Sequence, residues 1–109
     1  MPTAYLRTGC PFSFKLLLFL SEADLRDGFE IVSCDPESDE FERVKAKLEG
    51  ASGTKASFPT VEIEPGVYKS DSDALVQLYA TKNGIDPKDL PAYCFYTKSI
   101  LPQLEKQHG

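Results

Sequence analysis

The chain has too few cysteines, too little positive charge and too short an apolar run for several protein classes. Its three cysteines, Cys10, Cys34 and Cys94, are odd in number and widely spaced. They make no disulfide framework, which points to a reducing compartment, the cytoplasm. Twelve Lys and Arg face seventeen Asp and Glu, a net charge of −5. That balance argues against nucleic acid as a partner, because phosphate binding needs a basic surface. The longest apolar run, Leu16 to Leu20, is flanked by Lys15 and Glu22 and predicts no membrane span. Met1-Pro2-Thr3 offers no basic start and no apolar stretch precedes the first predicted strand, so no signal peptide is expected. The single histidine, His108, has no cysteine at ligand spacing, and no metal is expected. There is no phosphate loop, no Ser/His/Asp order and no internal repeat.

What remains is an ordinary globular composition, 41% hydrophobic and 27% charged over 109 residues, enough for one core without staples. The acids concentrate between Glu22 and Glu49 and read as a solvated helix face with its flanking loops.

One stretch stands out: Gly9-Cys10-Pro11-Phe12-Ser13. It follows a short apolar segment, Ala4-Tyr5-Leu6, and opens a run, Phe14 to Leu20, too apolar for a loop. A strand, a turn and a helix are the natural reading. Pro11 suits the first helical position, where a missing N–H loses nothing and φ is already helical. Cys10 then sits among free backbone donors at the positive end of the helix dipole. Such an environment favours thiolate, the nucleophilic form of cysteine. The alternative is a buried, inert cysteine, which usually lies mid-strand or mid-helix with no proline after it. Cys34, at a strand end, and Cys94, inside the last helix, fit that second description.

Periodicity gives the order β-α-β-α-β-β-α. The first strand spans about Thr3 to Arg7, and a helix with Leu16, Leu17 and Leu20 inward spans Pro11 to Asp24. Phe29 to Ser33 forms a second strand, parallel to the first after a helical crossover. A second helix spans Asp39 to Leu48, followed by a flexible loop over Gly50 to Lys55. Pro59 to Ile63 and Val67 to Lys69 make a hairpin across Glu64-Pro65-Gly66, a type II turn. A third helix starts at Ser70-Asp71-Ser72 and closes at Asn83-Gly84. The expected fold is α/β, with a four-stranded mixed sheet and helices on both faces. Residues 1–85 form this unit, and residues 86–109 form a linker and an added C-terminal helix. In that helix Tyr93, Tyr96, Ile100, Leu101 and Leu104 share one face, and Pro102 is expected to kink or end it. The apolar face must be covered by the sheet unit, by a second copy in a homodimer, or by another domain.

Two features complete a cysteine site. Pro59 in Ser57-Phe58-Pro59-Thr60 stands at a strand entry, where proline is tolerated. Local sequence alone makes the Phe58–Pro59 bond trans, the majority form; a cis bond would turn the Phe58 backbone toward an incoming peptide. Asp71-Ser72-Asp73 supplies an N-cap at a helix start, a place that also attracts carboxylates.

Cys-Pro-Phe-Ser at the first helix, Phe-Pro before the hairpin and Asp-Ser at the third helix, in this order, resemble the thioredoxin-fold domain of glutaredoxins and glutathione transferases. The resemblance spans about residues 3 to 84. The first motif is similar to that of omega-class transferases, dehydroascorbate reductases and chloride intracellular channel proteins. It implies glutathione as co-substrate and Cys10 as the nucleophile that forms a mixed disulfide with it. Phe12 and Ser13 would flank the thiol. Arg7 would stand where glutaredoxins often carry a lysine near the glycyl carboxylate. Phe58, before a cis Pro59, would bind the cysteinyl backbone, and Asp71, Ser72 and Asp73 the γ-glutamyl end. Ser13 replaces the second cysteine of dithiol glutaredoxins, so the implied cycle is monothiol, acting on a glutathionylated or disulfide substrate. Residues 92–107 are similar to the first helix only of the transferases' helical domain, which weakens a transferase reading. Pro11 replaces the glycine of cluster-holding glutaredoxins, which weakens an iron–sulfur carrier. The other alternative is a non-catalytic glutathione-binding or interaction module.

Overall fold

The computed structural model describes residues 1–108, and of His108 only the backbone; the His108 side chain lies outside the described part. Strand β1 (Thr3–Arg7) leads into helix α1 (Pro11–Glu22). After a 3₁₀ turn, β2 (Glu30–Cys34) lies parallel to β1, with Thr3 opposite Glu30 and Arg7 opposite Cys34. Helix α2 (Asp39–Ser52) follows, then β3 (Thr60–Glu64), β4 (Val67–Ser70) and α3 (Ser72–Lys82). The sheet order is β2-β1-β3-β4, with β3 antiparallel to both neighbours. The mixed four-stranded sheet and its alternating helices are those expected from periodicity.

Each face of the sheet has its own cluster. Ala4, Leu6 and Val61 bury against Leu16, Phe19 and Leu20 of α1 and Leu75, Val76 and Tyr79 of α3. Tyr5 and Cys34 bury on the other face against Val44 and Leu48 of α2. Alternation along β1 sends neighbouring residues to opposite clusters, as pleated geometry requires. Fully burying such side chains contributes roughly 1.5–3 kcal/mol each.

Helix α2 runs four residues past the expected end at Leu48. Gly50 is carried inside it, and the helix stops at Gly53, whose φ of 75° places it in the left-handed region that glycine enters at little cost. Ser38 caps the other end, accepting from Phe41 N–H at 3.1 Å. The segment expected to be a loop therefore begins only at Gly53.

The linker over residues 86–90 holds a 3₁₀ turn (Pro87–Asp89), and the C-terminal helix opens as α4 (Pro91–Phe95). It continues through a π turn (Tyr96–Ile100) into α5 (Leu101–His108). Pro102 neither ends this helix nor follows a regular turn. In a regular α-helix its ring would clash with the carbonyl of Lys98, four residues back. The wider π spacing over that turn relieves the conflict and rotates the following residues by one position. Tyr93, Tyr96 and Leu101 are consequently buried, whereas Ile100, expected inward, is 41% exposed.

The helix folds back on α1. Both carboxylate oxygens of Glu22 accept from its first turn, from Ala92 N–H at 2.9 Å and Tyr93 N–H at 2.7 Å. The Tyr93 ring meets Phe19 edge-on at 5.7 Å. The apolar stripe is thus covered largely by the chain's own first helix.

Candidate active site around Cys10

The turn that presents Cys10 is built from both sides. Gly9 takes φ 78°, a left-handed conformation that favours glycine, and reverses the chain after β1. Thr8 N–H donates to Cys34 C=O at 2.9 Å, tying the turn to β2, and Cys10 N–H donates to Arg7 C=O at 3.2 Å. Cys10 is the N-cap of α1 and Pro11 its first helical residue, as the sequence predicts. Cys10 is 7% exposed, and its Sγ lies 3.9 Å from the carbonyl oxygen of Phe58.

That carbonyl belongs to a cis Phe58–Pro59 peptide, the geometry implied by the family resemblance and not the trans default of an isolated bond. Two contacts hold the segment. Thr60 Oγ donates to Ser57 C=O at 2.6 Å, and the Phe58 ring stacks on Phe41 of α2 at 5.4 Å. Beside it lies an open groove of about 310 Å³ lined by Phe12, Ser57, Phe58, Pro59 and the stretch Ser70 to Asp73. The far end of the groove is the N-terminus of α3. There Asp71, with φ 83°, caps the helix by accepting from Asp73 N–H at 3.0 Å.

Six of the nine residues singled out from sequence therefore line one groove: Phe12, Phe58, Pro59, Asp71, Ser72 and Asp73. Cys10 borders it through the Phe58 carbonyl. Arg7 and Ser13 do not join them. Ser13 is buried and its hydroxyl accepts from Arg7 N–H at 3.1 Å, a tie between α1 and β1. Arg7 lines two other clefts beside the thiol. One, of about 220 Å³, also touches Cys10, Ser13, Phe14 and Leu17; the other, of about 230 Å³, lies between Cys10, Phe12 and the helix residues Leu104 and Glu105. The thiol thus borders one groove and two further clefts.

Two residues missed from sequence support this arrangement. Lys15, buried on α1, forms an ion pair with Asp73 of α3. Its only signal was a lone cation inside an apolar run. Tyr96 of the C-terminal helix donates through its hydroxyl to Pro11 C=O at 2.6 Å. The remaining cysteines are placed as expected. Burial, with Glu40 adding to it, pushes the Cys34 thiol up. Cys94 Sγ donates to Pro87 C=O at 3.3 Å. Among the described residues no group of His, Cys, Asp and Glu could hold a metal, and no helix is long and apolar enough to cross a membrane.

An α/β sheet of order β2-β1-β3-β4, with a cysteine at the first helix and a cis proline before the hairpin, is a thioredoxin-like fold. A glutathione S-transferase from the Antarctic clam Laternula elliptica is similar to it, with TM-score 0.53 and 21% identity over 74% of this chain and 34% of that one. Glutathione transferase Omega 2C from Trametes versicolor is similar over 98% of this chain and 45% of that one, with TM-score 0.53 and 18% identity. The chain spans less than half the length of either protein. No protein-family model matches the chain, and no curated protein matches it in sequence.

Proposed function

We propose that the chain is a glutathione-dependent monothiol thiol–disulfide oxidoreductase of the glutaredoxin or omega-transferase type. The observation that carries this reading is the position of Cys10: N-cap of a helix, 3.9 Å from the Phe58 carbonyl, at the edge of a peptide-sized groove that ends on a second helix N-terminus.

In this reading the Phe58 backbone pairs with the cysteinyl part of glutathione. Its γ-glutamyl carboxylate meets the free N–H groups at the start of α3, where Asp71 and Ser72 stand. The Cys10 thiolate attacks the glutathione sulfur of a glutathionylated substrate. An S–S bond forms at Cys10 as the substrate bond breaks, and the substrate sulfur leaves as a thiolate that takes a proton from solvent. A second glutathione, as thiolate, then attacks the glutathione sulfur of the mixed disulfide, releasing oxidised glutathione and regenerating Cys10. Ser13 is no thiol, so no internal resolving step competes. The clefts beside Arg7, one of them bordered by Leu104 and Glu105, receive the partner that arrives or leaves. An odd, widely spaced set of cysteines supports a reducing compartment, the cytoplasm, for this cycle.

The test is reduction of a glutathionylated peptide, coupled to glutathione oxidation. Turnover by the native chain and none by Cys10→Ser, at unchanged melting temperature, is expected; turnover retained by Cys10→Ser overturns the proposal. Asp71→Asn should keep the cap and raise KM for glutathione.

A further inference from the structure

Three hydrogen bonds hold the Cys10 turn from the sheet side: Thr8 to Cys34, Cys10 to Arg7, and Arg7 to Ser13. On the outer side the first turn of α1 is met by one side chain from the C-terminal helix. Tyr96 Oη lies 2.6 Å from the Pro11 carbonyl, one residue past the thiol, and the Tyr96 ring packs edge-on against Phe14 at 4.9 Å. The π turn beginning at Tyr96 sets this contact. Its five-residue spacing keeps both Tyr96 and Leu101 against the body of the chain, where regular spacing pairs Tyr96 with Ile100.

We infer that Tyr96 is a positioning residue for the thiol–disulfide exchange at Cys10, holding the first turn of α1 from outside so that Sγ is aimed between the groove and the partner clefts. The inference rests on the oxidoreductase reading above. Attack on a disulfide requires the three sulfurs to align, and small misplacements of a reacting group lower rates steeply. The Gly9 turn before the thiol has wide conformational freedom, so the residues after it must supply the rigidity. Tyr96 can supply it only as a donor. Burial, with Cys10 and Glu105 adding to the effect, pushes its phenol up, so the hydroxyl keeps its proton throughout the neutral range.

The experiment compares Tyr96→Phe with Tyr93→Phe, a substitution on the same buried face whose ring packs on Phe19 away from the thiol. In the coupled assay Tyr96→Phe is expected to lower kcat about fivefold, the weight of one net hydrogen bond. KM for glutathione should be unchanged, and amide exchange at Cys10 to Phe14 about fivefold faster. Tyr93→Phe is expected to leave kcat and these amides unchanged. Equal kcat for Tyr96→Phe and the native chain, with turnover present in both, overturns the role of Tyr96 alone. A fall in kcat matched by Tyr93→Phe overturns it too, as a general effect of loosening the helix. A native chain without turnover overturns the oxidoreductase reading and this role with it.

Discussion

The ammonium of Lys15 and the carboxylate of Asp73 join the two helices whose N-termini bound the groove. Lys15 stands on α1, its side chain 8% exposed, and Asp73 in the first turn of α3, its side chain 83% exposed. Breaking a fully buried pair by removing one partner costs about 3–5 kcal/mol. Here water reaches Asp73 and screens the pair, so the cost is lower. Asp73→Asn, which leaves the buried ammonium unpaired, is expected to lose about 1–2 kcal/mol. Lys15→Met fills the same space without charge and should stay within about 1 kcal/mol of the native chain. Urea midpoints of the two single variants and the double variant check this; equal losses for both singles would contradict it.

Glu22 fastens the C-terminal helix to α1 through Ala92 and Tyr93. Glu22→Ala removes the acceptor for two N–H groups that have no partner within the helix. A loss of about 1 kcal/mol, seen as a fall in Tm of about 5 °C, is expected. Limited proteolysis should then cut first within residues 91–108, and cutting elsewhere would argue that the helix is held by its apolar contacts alone.

Ser13 flanks the cysteine in sequence yet serves the scaffold. Ser13→Ala leaves the Arg7 N–H without its acceptor and should lower stability by about 1 kcal/mol. KM for glutathione should remain within about twofold of native, because the hydroxyl does not line the groove. A large rise in KM with no change in Tm would return Ser13 to the binding site.

Alkaline pH probes the covered helix. Burial, with Asp73 and then Cys94 adding to it, pushes the Tyr93 phenol up to about 12. A folded-state value raised above the ordinary 10 means that the native chain holds its proton longer than the unfolded chain. This stability is fully present below about pH 10 and is lost as pH rises toward about 12. At about 1.4 kcal/mol per unit, the upper limit is about 3 kcal/mol. Tyr93→Phe should flatten the decline in urea midpoint above pH 10, and Tyr79 and Tyr96, raised by burial as well, should leave a residual slope.

The sheet and its helices were legible because local signals agree with the fold. A short apolar segment marks β1, Pro65-Gly66 fixes the hairpin turn, with Gly66 at φ 81°, and Asp71 starts α3 where a cap is expected. The end of α2 was not, because Gly50 and Gly53 are equal candidates until the left-handed φ selects Gly53. The π turn was hidden for another reason. It answers Pro102 and the surface of α1 together, a tertiary demand that periodicity does not contain. Within the site, Cys10, Phe58, Pro59 and Asp71 were readable as a motif set. Arg7 lies near Cys10 in sequence but lines two other clefts beside the thiol and not the groove. Lys15 finds Asp73 across 58 positions, a contact no local pattern announces.

The measurement closest to the central claim is the intact mass of a chain in which Cys34 and Cys94 are replaced by alanine and serine, exposed first to oxidised and then to reduced glutathione. One glutathione on Cys10 is expected, formed faster than on an unstructured thiol and removed by reduced glutathione with release of the disulfide. A chain that stays unmodified, or gains the adduct no faster than a free cysteine peptide, would contradict it.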